Sequence, residues 1–300
     1  MHSHDHPHGH DHDLGLAHDL DRLMRQAGSR RGALRWLIGG AGGLAGLGLV
    51  GCGGGGDAGS STSSSSTSGS SSGSTGGSSG GTTSSSCSVI PEETAGPYPG
   101  DGSNTANGSI ANALALSGIV RSDIRASIAG ASGVATGVPL QIIIELVNTN
   151  SSCADLSGYA IYLWHCDAQG RYSMYSSGVT GENYLRGVQP TASDGTATFQ
   201  TIYPGCYSGR MPHMHFEVYR STTTASSWSN KLKTSQIAFP TDVSSAVYAT
   251  SGYGNSAANA AAISFSSDNI FSDGYTTQLA TLTGSASAGY VATIRVGIAV

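Results

Sequence analysis

The sequence predicts an all-β fold for residues 87–300, an antiparallel β-sandwich with long loops and little helix. Three observations carry this prediction. Runs of aliphatic, aromatic and β-branched residues recur, and clusters of Gly, Asn, Asp and Ser separate them. Helix signals are few, and the best candidate, SAANAAAISF, is short. Short strands at such intervals are typical of a sandwich or a closely related barrel.

Five segments fit strands: VPLQIIIELVNT, YAIYLWHC, TATFQTIYPG, HMHFEVYR and GYVATIRVGIAV. The first (residues 138–149) is nearly continuous in aliphatic residues, which is typical of a strand buried on both faces. The segment SDGTA (residues 193–197) places Asp-Gly between two such runs and therefore predicts a β-hairpin.

The part of the chain that precedes the sandwich is predicted to be a leader and a linker. Residues 1–51 contain the twin-arginine signature SRRGALR and then an apolar run of about 15 residues. A membrane-spanning helix needs about 20 residues, so this run is typical of a secretory signal. The segment LVGC ends at Cys52 and resembles a bacterial lipobox, in which the cysteine is acylated. An ordinary cleavage site and an uncleaved anchor are the alternatives.

These features predict export through a twin-arginine-type route, to a membrane-tethered, periplasmic or extracellular location. The only membrane contact expected is the lipid anchor. The histidine-rich opening, MHSHDHPHGHDHD, fits either metal binding or a polar leader, and it lies before the signal. Residues 52–86 are almost entirely Gly, Ser and Thr and are expected to form a flexible tether. Residues 87–300 suffice for one domain with a sizeable core.

Charge and cysteine content narrow the function classes. The formal net charge is −5, and the absence of a basic cluster argues against a nucleic-acid partner. Of five cysteines, four remain for the domain if Cys52 carries a lipid. An even number in an exported domain predicts disulfides, with three possible pairings. The pairing Cys87–Cys153 is favoured because it ties down the start of the domain.

The segment GCYSGRMPHMHFEVY contains the densest group of chemically useful side chains. His213 and His215 share one face of a strand, with Met214 on the other, so both imidazoles can bind one metal ion. An H-x-H pair alone is weak evidence, because exposed or hydrogen-bonded strand histidines are common. Tyr207 and Arg210 lie just upstream. A second tyrosine, in GRY, follows a strand and an Asp-Ala-Gln-Gly turn.

Together with PEETAGPYPG and SQIAF, these motifs resemble the intradiol ring-cleavage dioxygenases, which include catechol and protocatechuate dioxygenases. The resemblance implies a ferric ion, Fe(III), held on a β-sandwich core by two tyrosines and two histidines. Its ligands would be Tyr172, Tyr207, His213 and His215, with Tyr207 released when substrate binds. The implied reaction cleaves a small aromatic diol with O2 to a muconate-type diacid.

The resemblance also assigns roles around the metal. Tyr207, once released, would accept a substrate proton, and Arg210 would stabilise developing negative charge. Gln236 matches a family position near the same site, and Pro97 and Tyr98 would contact substrate. A disulfide Cys166–Cys206 would remove a thiolate beside the metal and join the two tyrosine-bearing segments.

Several alternatives stay open. Only five residues separate Tyr207 from His213, fewer than in the catabolic members of the family. This short loop favours a second hypothesis, an exported, non-catalytic binding module that kept the scaffold. A zinc or copper protein is a third. Tyr175 and Tyr203 compete for the ligand positions, and His165 is interpreted as a core or edge residue.

Overall fold

The computed structural model describes residues 87–300. The predicted leader (residues 1–51), the linker (residues 52–86) and the lipid site at Cys52 lie outside this part of the chain. The strands in it are β1 (Asp101–Ala106), β2 (Ser109–Asn112), β3 (Pro139–Asn148), β4 (Ala154–Asp155), β5 (Ala160–Trp164), β6 (Arg186–Pro190), β7 (Thr196–Ile202), β8 (His213–Tyr219), β9 (Lys231–Ala238), β10 (Thr281–Ser285) and β11 (Gly289–Ile298). The α-helices in it are α1 (Thr241–Tyr248) and α2 (Ser256–Ala261).

Two sheets form the predicted β-sandwich. One has the strand order β10-β11-β3-β4, with β7 also paired to β3, and the other has the order β6-β5-β8-β9. Strands β1 and β2 form a separate hairpin. The pairs are antiparallel except for β11 and β3, which run parallel from Tyr290↔Leu140 to Ile298↔Asn148. The all-β sandwich is thus confirmed, with one parallel pair that the sequence did not predict.

The two sheets enclose a common apolar core. Leu140, Ile142 and Ile144 of β3 pack in one cluster with Met214 and Phe216 of β8. Since alternate residues of a strand point to opposite faces, the remaining residues of β8 project away from this core. They are nevertheless buried, so a further layer must cover that face.

The covering layer is the N-terminal segment of the domain, residues 91–106. Its backbone is bonded to the outer face of the four-stranded sheet. The backbone N–H of Glu93 donates to the carbonyl of Thr234. The hydroxyl of Tyr162 donates to the carbonyl of Pro99 over 2.7 Å. The outer face of β8 therefore lies in a protected layer between sheet and loop.

Two local predictions need correction. Strand β3 alternates between buried and partly buried residues instead of being buried on both faces, because one face lies near the surface. The Asp194–Gly195 turn does not close a hairpin. Strand β6 pairs with β5, whereas β7 pairs with β3 in the other sheet, so the turn carries the chain between sheets.

The disulfide Cys87–Cys153 is present, as predicted. The predicted bridge Cys166–Cys206 is wrong, because both cysteines are free and buried. The Cys166 thiol donates to the carbonyl of Gly205 at 3.4 Å, and the Cys206 thiol to that of Arg210 at 3.3 Å. Each thiol therefore donates a hydrogen bond to a backbone carbonyl and does not pair with the other cysteine. Within residues 87–300, no helix has the length and apolar character needed to span a bilayer.

Candidate metal centre

Strand β8 brings the two predicted histidine ligands together. Their Nε2 atoms are 3.1 Å apart. The Nδ1 of His213 donates to the carbonyl oxygen of Met211 over 2.6 Å. A carbonyl can only accept, so the proton is on Nδ1 and the lone pair of Nε2 faces the site. The ring of His215 stacks on Trp164 of β5, with centroids 5.1 Å apart, which fixes its plane.

A tight turn before Tyr172 places the first tyrosine. The Asp167 carboxylate accepts from the amides of Gln169 and Arg171, and Gly170 N donates to the carbonyl of Asp167. Asp-Ala-Gln-Gly therefore forms the turn that the sequence indicated. Tyr172 is 1% exposed, and its hydroxyl has no hydrogen-bond partner among the described residues. Buried hydroxyls normally have a partner, and a bound ligand would supply one here.

The second tyrosine reaches the site because Gly205 packs against the same turn. A side chain at Gly205 would lie 2.7 Å from the carbonyl oxygens of Asp167 and Ala168, so only glycine fits there. Its amide donates to Asp167 over 3.1 Å. This backbone contact joins the two tyrosine-bearing segments in place of the predicted disulfide. The hydroxyl of Tyr207 then lies 3.0 Å from Nε2 of His213.

Burial keeps all four side chains neutral in the metal-free protein. It raises the pKa of Tyr172 and of Tyr207 above the usual value for a phenol. It lowers the pKa of His213 and of His215 well below the usual value for an imidazole, and the nearby Arg210 guanidinium lowers both further. Neutral imidazoles have free lone pairs, which metal binding requires.

The four side chains fit a ferric ion. Two ligand atoms bonded to one ion at about 2.1 Å and at a right angle are about 3.0 Å apart. The 3.0 Å and 3.1 Å separations around Nε2 of His213 match that spacing. Phenolate oxygens suit a hard trivalent cation, and imidazoles complete the set. Residues 87–300 contain no metal-binding group of three or more His, Cys, Asp or Glu side chains; half of the present donors are phenols.

Arg210 and Gln236, predicted near the metal, lie beside this cluster. The Nη1 of Arg210 is 3.5 Å from Nε2 of His213, and its Nη2 donates to Oε1 of Gln236 over 2.7 Å. The side-chain Nε2 of Gln236 donates to the backbone carbonyl of Thr94 in the covering segment. Burial alone would lower the pKa of Arg210, but the neighbouring phenol of Tyr207 and the carboxylate of Asp268 raise it. The arginine therefore stays cationic.

Tyr98, predicted to contact substrate, borders the cluster. Its half-buried ring lies 5.0 Å from that of Tyr172, between centroids. Pro97 precedes it, half-buried, and its carbonyl accepts from Asn104. Gly96, at φ +70°, faces His215, and an added Cβ would lie 3.1 Å from that ring.

A cleft of about 500 Å³ opens on the Tyr207 side of the cluster. Its lining includes Gln169, Arg171, Ser176, Tyr207 and Asn255. Among the four ligand candidates, only Tyr207 belongs to this lining, and it is 7% exposed whereas Tyr172 is 1% exposed.

The competing residues have structural roles. The hydroxyl of Tyr175 accepts from Gly100 N and donates to Asn104. Tyr203 lies in the sandwich core and bonds Ser244. The ring of His165 is buried between the carbonyl of Cys166 and the hydroxyl of Thr201. Burial lowers the pKa of this histidine to about 4.

Two residues that support the site, Asp268 and Arg186, were not predicted from the sequence. Asp268 bonds Arg210 from a serine-rich loop, 58 residues along the chain, and no local motif indicates it. Arg186 is buried and donates to the carbonyls of Tyr98, Pro99 and Ser173. It thereby ties the covering segment to the Tyr172 loop.

A β-sandwich with two tyrosines and two histidines converging outside its core has the fold of the intradiol ring-cleavage dioxygenases. The sequence model of a family described as "Dioxygenase" matches residues 126–247, which include all four ligand candidates, Arg210 and Gln236. The chain is similar in structure to an intradiol ring-cleavage dioxygenase from Tetranychus urticae. The identity is 25%, 71% of this chain and 95% of that chain are covered, and the TM-score is 0.53.

The chain is also similar to the crystal structure of another dioxygenase, with 23% identity, coverage of 71% of this chain and 95% of that chain, and a TM-score of 0.54. Comparison with curated protein sequences returned no match. Together, the family match and the structural similarity support the intradiol dioxygenase family and this general kind of enzyme.

Proposed function

We propose that the protein is a non-haem Fe(III) intradiol dioxygenase that cleaves a catechol-type ring between its two hydroxyl-bearing carbons. One observation carries this proposal. The buried, unpartnered hydroxyl of Tyr172 belongs to a cluster in which the Tyr207 hydroxyl and the two histidine Nε2 atoms lie at metal-ligand spacing. A cation shared by these donors would satisfy the Tyr172 hydroxyl and use the spacing of the other three atoms.

The chemistry that Fe(III) supplies when bound is Lewis-acid activation of a catecholate toward O2. The residues Tyr172, Tyr207, His213 and His215 would hold it. Both oxygen atoms of O2 would enter the product, a muconate-type diacid, so the reaction needs no other oxidant or reductant.

The two tyrosines have different tasks in this proposal. Tyr172 is buried deeper and remains a ligand. Tyr207 lines the cleft and would give way to the diol. Burial raises the pKa of Tyr207, so its phenolate would be a strong base that could take up a proton from a substrate hydroxyl.

Arg210 would stabilise negative charge that develops on the substrate. Its Nη1 is the guanidinium nitrogen nearest to the cluster, at 3.5 Å from His213. A fixed cation in a site without bulk water stabilises such charge more strongly than a solvated one. The side chain of Gln236 accepts a hydrogen bond from Arg210, so its contribution would be to hold the guanidinium.

The test is an absorption spectrum of purified, iron-supplemented protein, followed by oxygen-electrode assays with simple catechols. We expect a purple-red colour from tyrosinate-to-iron charge transfer and oxygen uptake with ring cleavage. A folded preparation that contains iron, stays colourless and leaves catechols intact would refute the proposal. Iron and catechol binding without oxygen uptake would support the non-catalytic module. Zinc or copper in place of iron after native purification would support a different metalloprotein.

We further propose that the domain is exported and tethered through a lipid on Cys52, with residues 52–86 as spacer. The support is sequence alone: the twin-arginine signature, the apolar run and LVGC. Cell fractionation with radiolabelled fatty acid tests this. Label that persists in Cys52→Ala would contradict lipid attachment at that residue.

A further inference from the structure

We infer that Asp268 is a positioning residue that orients both Arg210 and the ligand His213; its effect on turnover rests on the function proposed above. Asp268 is fully buried. One carboxylate oxygen, Oδ2, accepts from Nε of Arg210 at 3.0 Å and from the amide of Met211 at 2.7 Å. This single atom therefore contacts the arginine and the backbone that precedes the histidine.

The carboxylate is held firmly by its own loop. Its other oxygen, Oδ1, accepts from the amides of Ile270 at 2.8 Å and Phe271 at 3.1 Å. Four donors in total fix the plane of the group. Bonds from charged or backbone donors to a buried carboxylate are among the stronger hydrogen bonds in proteins. Asp268 is thus a rigid anchor.

This anchor sets the direction of the Arg210 guanidinium. Nε is bonded to Asp268 and Nη2 to Gln236, and the ring of Phe271 lies 5.7 Å from the guanidinium carbon. Because the guanidinium is planar, two fixed nitrogens determine the position of the third. That third nitrogen, Nη1, faces Nε2 of His213.

The same anchor acts on His213 through Met211. The amide of Met211 bonds Asp268, and its carbonyl accepts from Nδ1 of His213. A partner of this kind holds a metal-ligating histidine in one tautomer and ring orientation. Loss of such a partner typically costs about 10-fold to 100-fold in metal affinity or activity. A purely structural role for Asp268 would stabilise the loop without affecting the tautomer.

The decisive experiment compares Asp268→Asn with the full-length wild type. Asparagine has one acceptor oxygen where aspartate has two, and it carries no charge, so it cannot accept from all four donors. In either orientation of the amide, the hold of residue 268 on Arg210 and Met211 is weakened. In metal-free protein with ¹⁵N-labelled histidine, we expect NMR to show a single neutral tautomer of His213 in the wild type, protonated on Nδ1. In the variant we expect a mixture of the Nδ1-protonated and Nε2-protonated tautomers. In iron-loaded protein, we expect kcat for catechol to fall about 10-fold to 100-fold with KM changed less than about 3-fold.

Asp273→Asn, in the same loop but exposed, is the matched control and should leave the tautomer and kcat unchanged. If Asp268→Asn does not fold, Asp268→Glu decides. It keeps the charge but displaces it by one methylene, and it should lower kcat and shift the tautomer. Wild-type tautomer and kcat in a folded Asp268 variant would overturn the inference. A wild type that cleaves no catechol would refute the proposed function, while the NMR result still decides whether Asp268 positions His213.

Discussion

The hydroxyl of Tyr207 donates to Nε2 of His213 over 3.0 Å. The direction of this bond follows from the tautomer, because Nδ1 of His213 is occupied as a donor to Met211. The two groups are separated by five residues, yet they meet as adjacent ligands of one ion would. The short loop between them therefore retains the ligand geometry, and the bond is one that metal binding would replace.

Replacement of either tyrosine should abolish the charge-transfer colour. In iron-loaded Tyr207→Phe and Tyr172→Phe, we expect the visible band to be lost or strongly weakened, because each variant lacks one phenolate donor. Loss of the proton acceptor should also lower kcat of Tyr207→Phe by about 10²-fold to 10⁴-fold. Tyr175→Phe is the control, since its hydroxyl bonds Gly100 and Asn104. A full-strength band in Tyr207→Phe would contradict the assignment.

The free cysteines should be unreactive in the folded protein. Both are buried, and burial raises the pKa of Cys206 to about 12 and that of Cys166 well above its usual value. Since the thiolate is the reactive form, iodoacetamide at neutral pH should label neither thiol until the protein is unfolded. Mass mapping of a non-reduced digest should recover both as thiols and Cys87 linked to Cys153. A linked Cys166–Cys206 peptide would contradict the structure.

Parts of the candidate site could be predicted from the sequence because they depend on local structure. A strand period of two places His213 and His215 side by side, and a short turn places Tyr172 after its strand. The role of Asp268 could not be predicted, because its contact with Arg210 depends on how a distant loop folds over the sheet. The parallel pairing of β11 with β3 could not be predicted from the sequence either. Alternating apolar residues bury one face in either strand direction.

The predicted bridge Cys166–Cys206 was wrong for a different reason, whereas Cys87–Cys153 was predicted correctly. An even count predicts bridges only where the Cβ atoms of two cysteines approach closely. Cys166 and Cys206 sit in neighbouring segments, but each thiol bonds a backbone carbonyl. The sequence shows which segments meet and cannot show which way a side chain turns. Helix α1 was likewise missed, while α2 lies in the segment SAANAAAISF that the sequence favoured.

Gly96→Ala should impair the metal site, and Gly108→Ala should not. Both glycines have positive φ, +70° and +79°, so alanine at either is strained by about 1–2 kcal/mol. Only at Gly96 would the new Cβ meet His215, at 3.1 Å, while Gly108 has open space around it. Denaturation should show similar backbone strain in both, and iron titration should show weaker binding in Gly96→Ala alone. Equal iron affinity in the two variants would show that His215 is not constrained by this contact.

Glu217 should make stability depend on pH. It lies on β8, fully buried, and bonds Lys231 and Tyr219. Burial raises the pKa of Glu217 from 4.5 to about 7, with the negative charge of Asp101 contributing, although Lys231 opposes the shift. Between these values the folded protein holds a proton that the unfolded chain releases. The free energy of unfolding should therefore decrease, through this group, by about 3 kcal/mol as pH rises from 4.5 to 7.

Glu217→Gln isolates this effect, because glutamine does not titrate. The difference in unfolding free energy between wild type and variant, from urea denaturation, should change by about 3 kcal/mol across that range. The low pKa of His165 acts in the opposite direction, since acidification protonates the unfolded chain first, but it is present in both proteins and cancels in the difference. Glu145→Gln removes a partly exposed ion pair with Arg295 and is the control for the loss of a carboxylate at the surface; such pairs contribute about 1 kcal/mol or less to the free energy of unfolding. A pH-independent difference for Glu217→Gln would mean that Glu217 is ionised throughout and paired with Lys231.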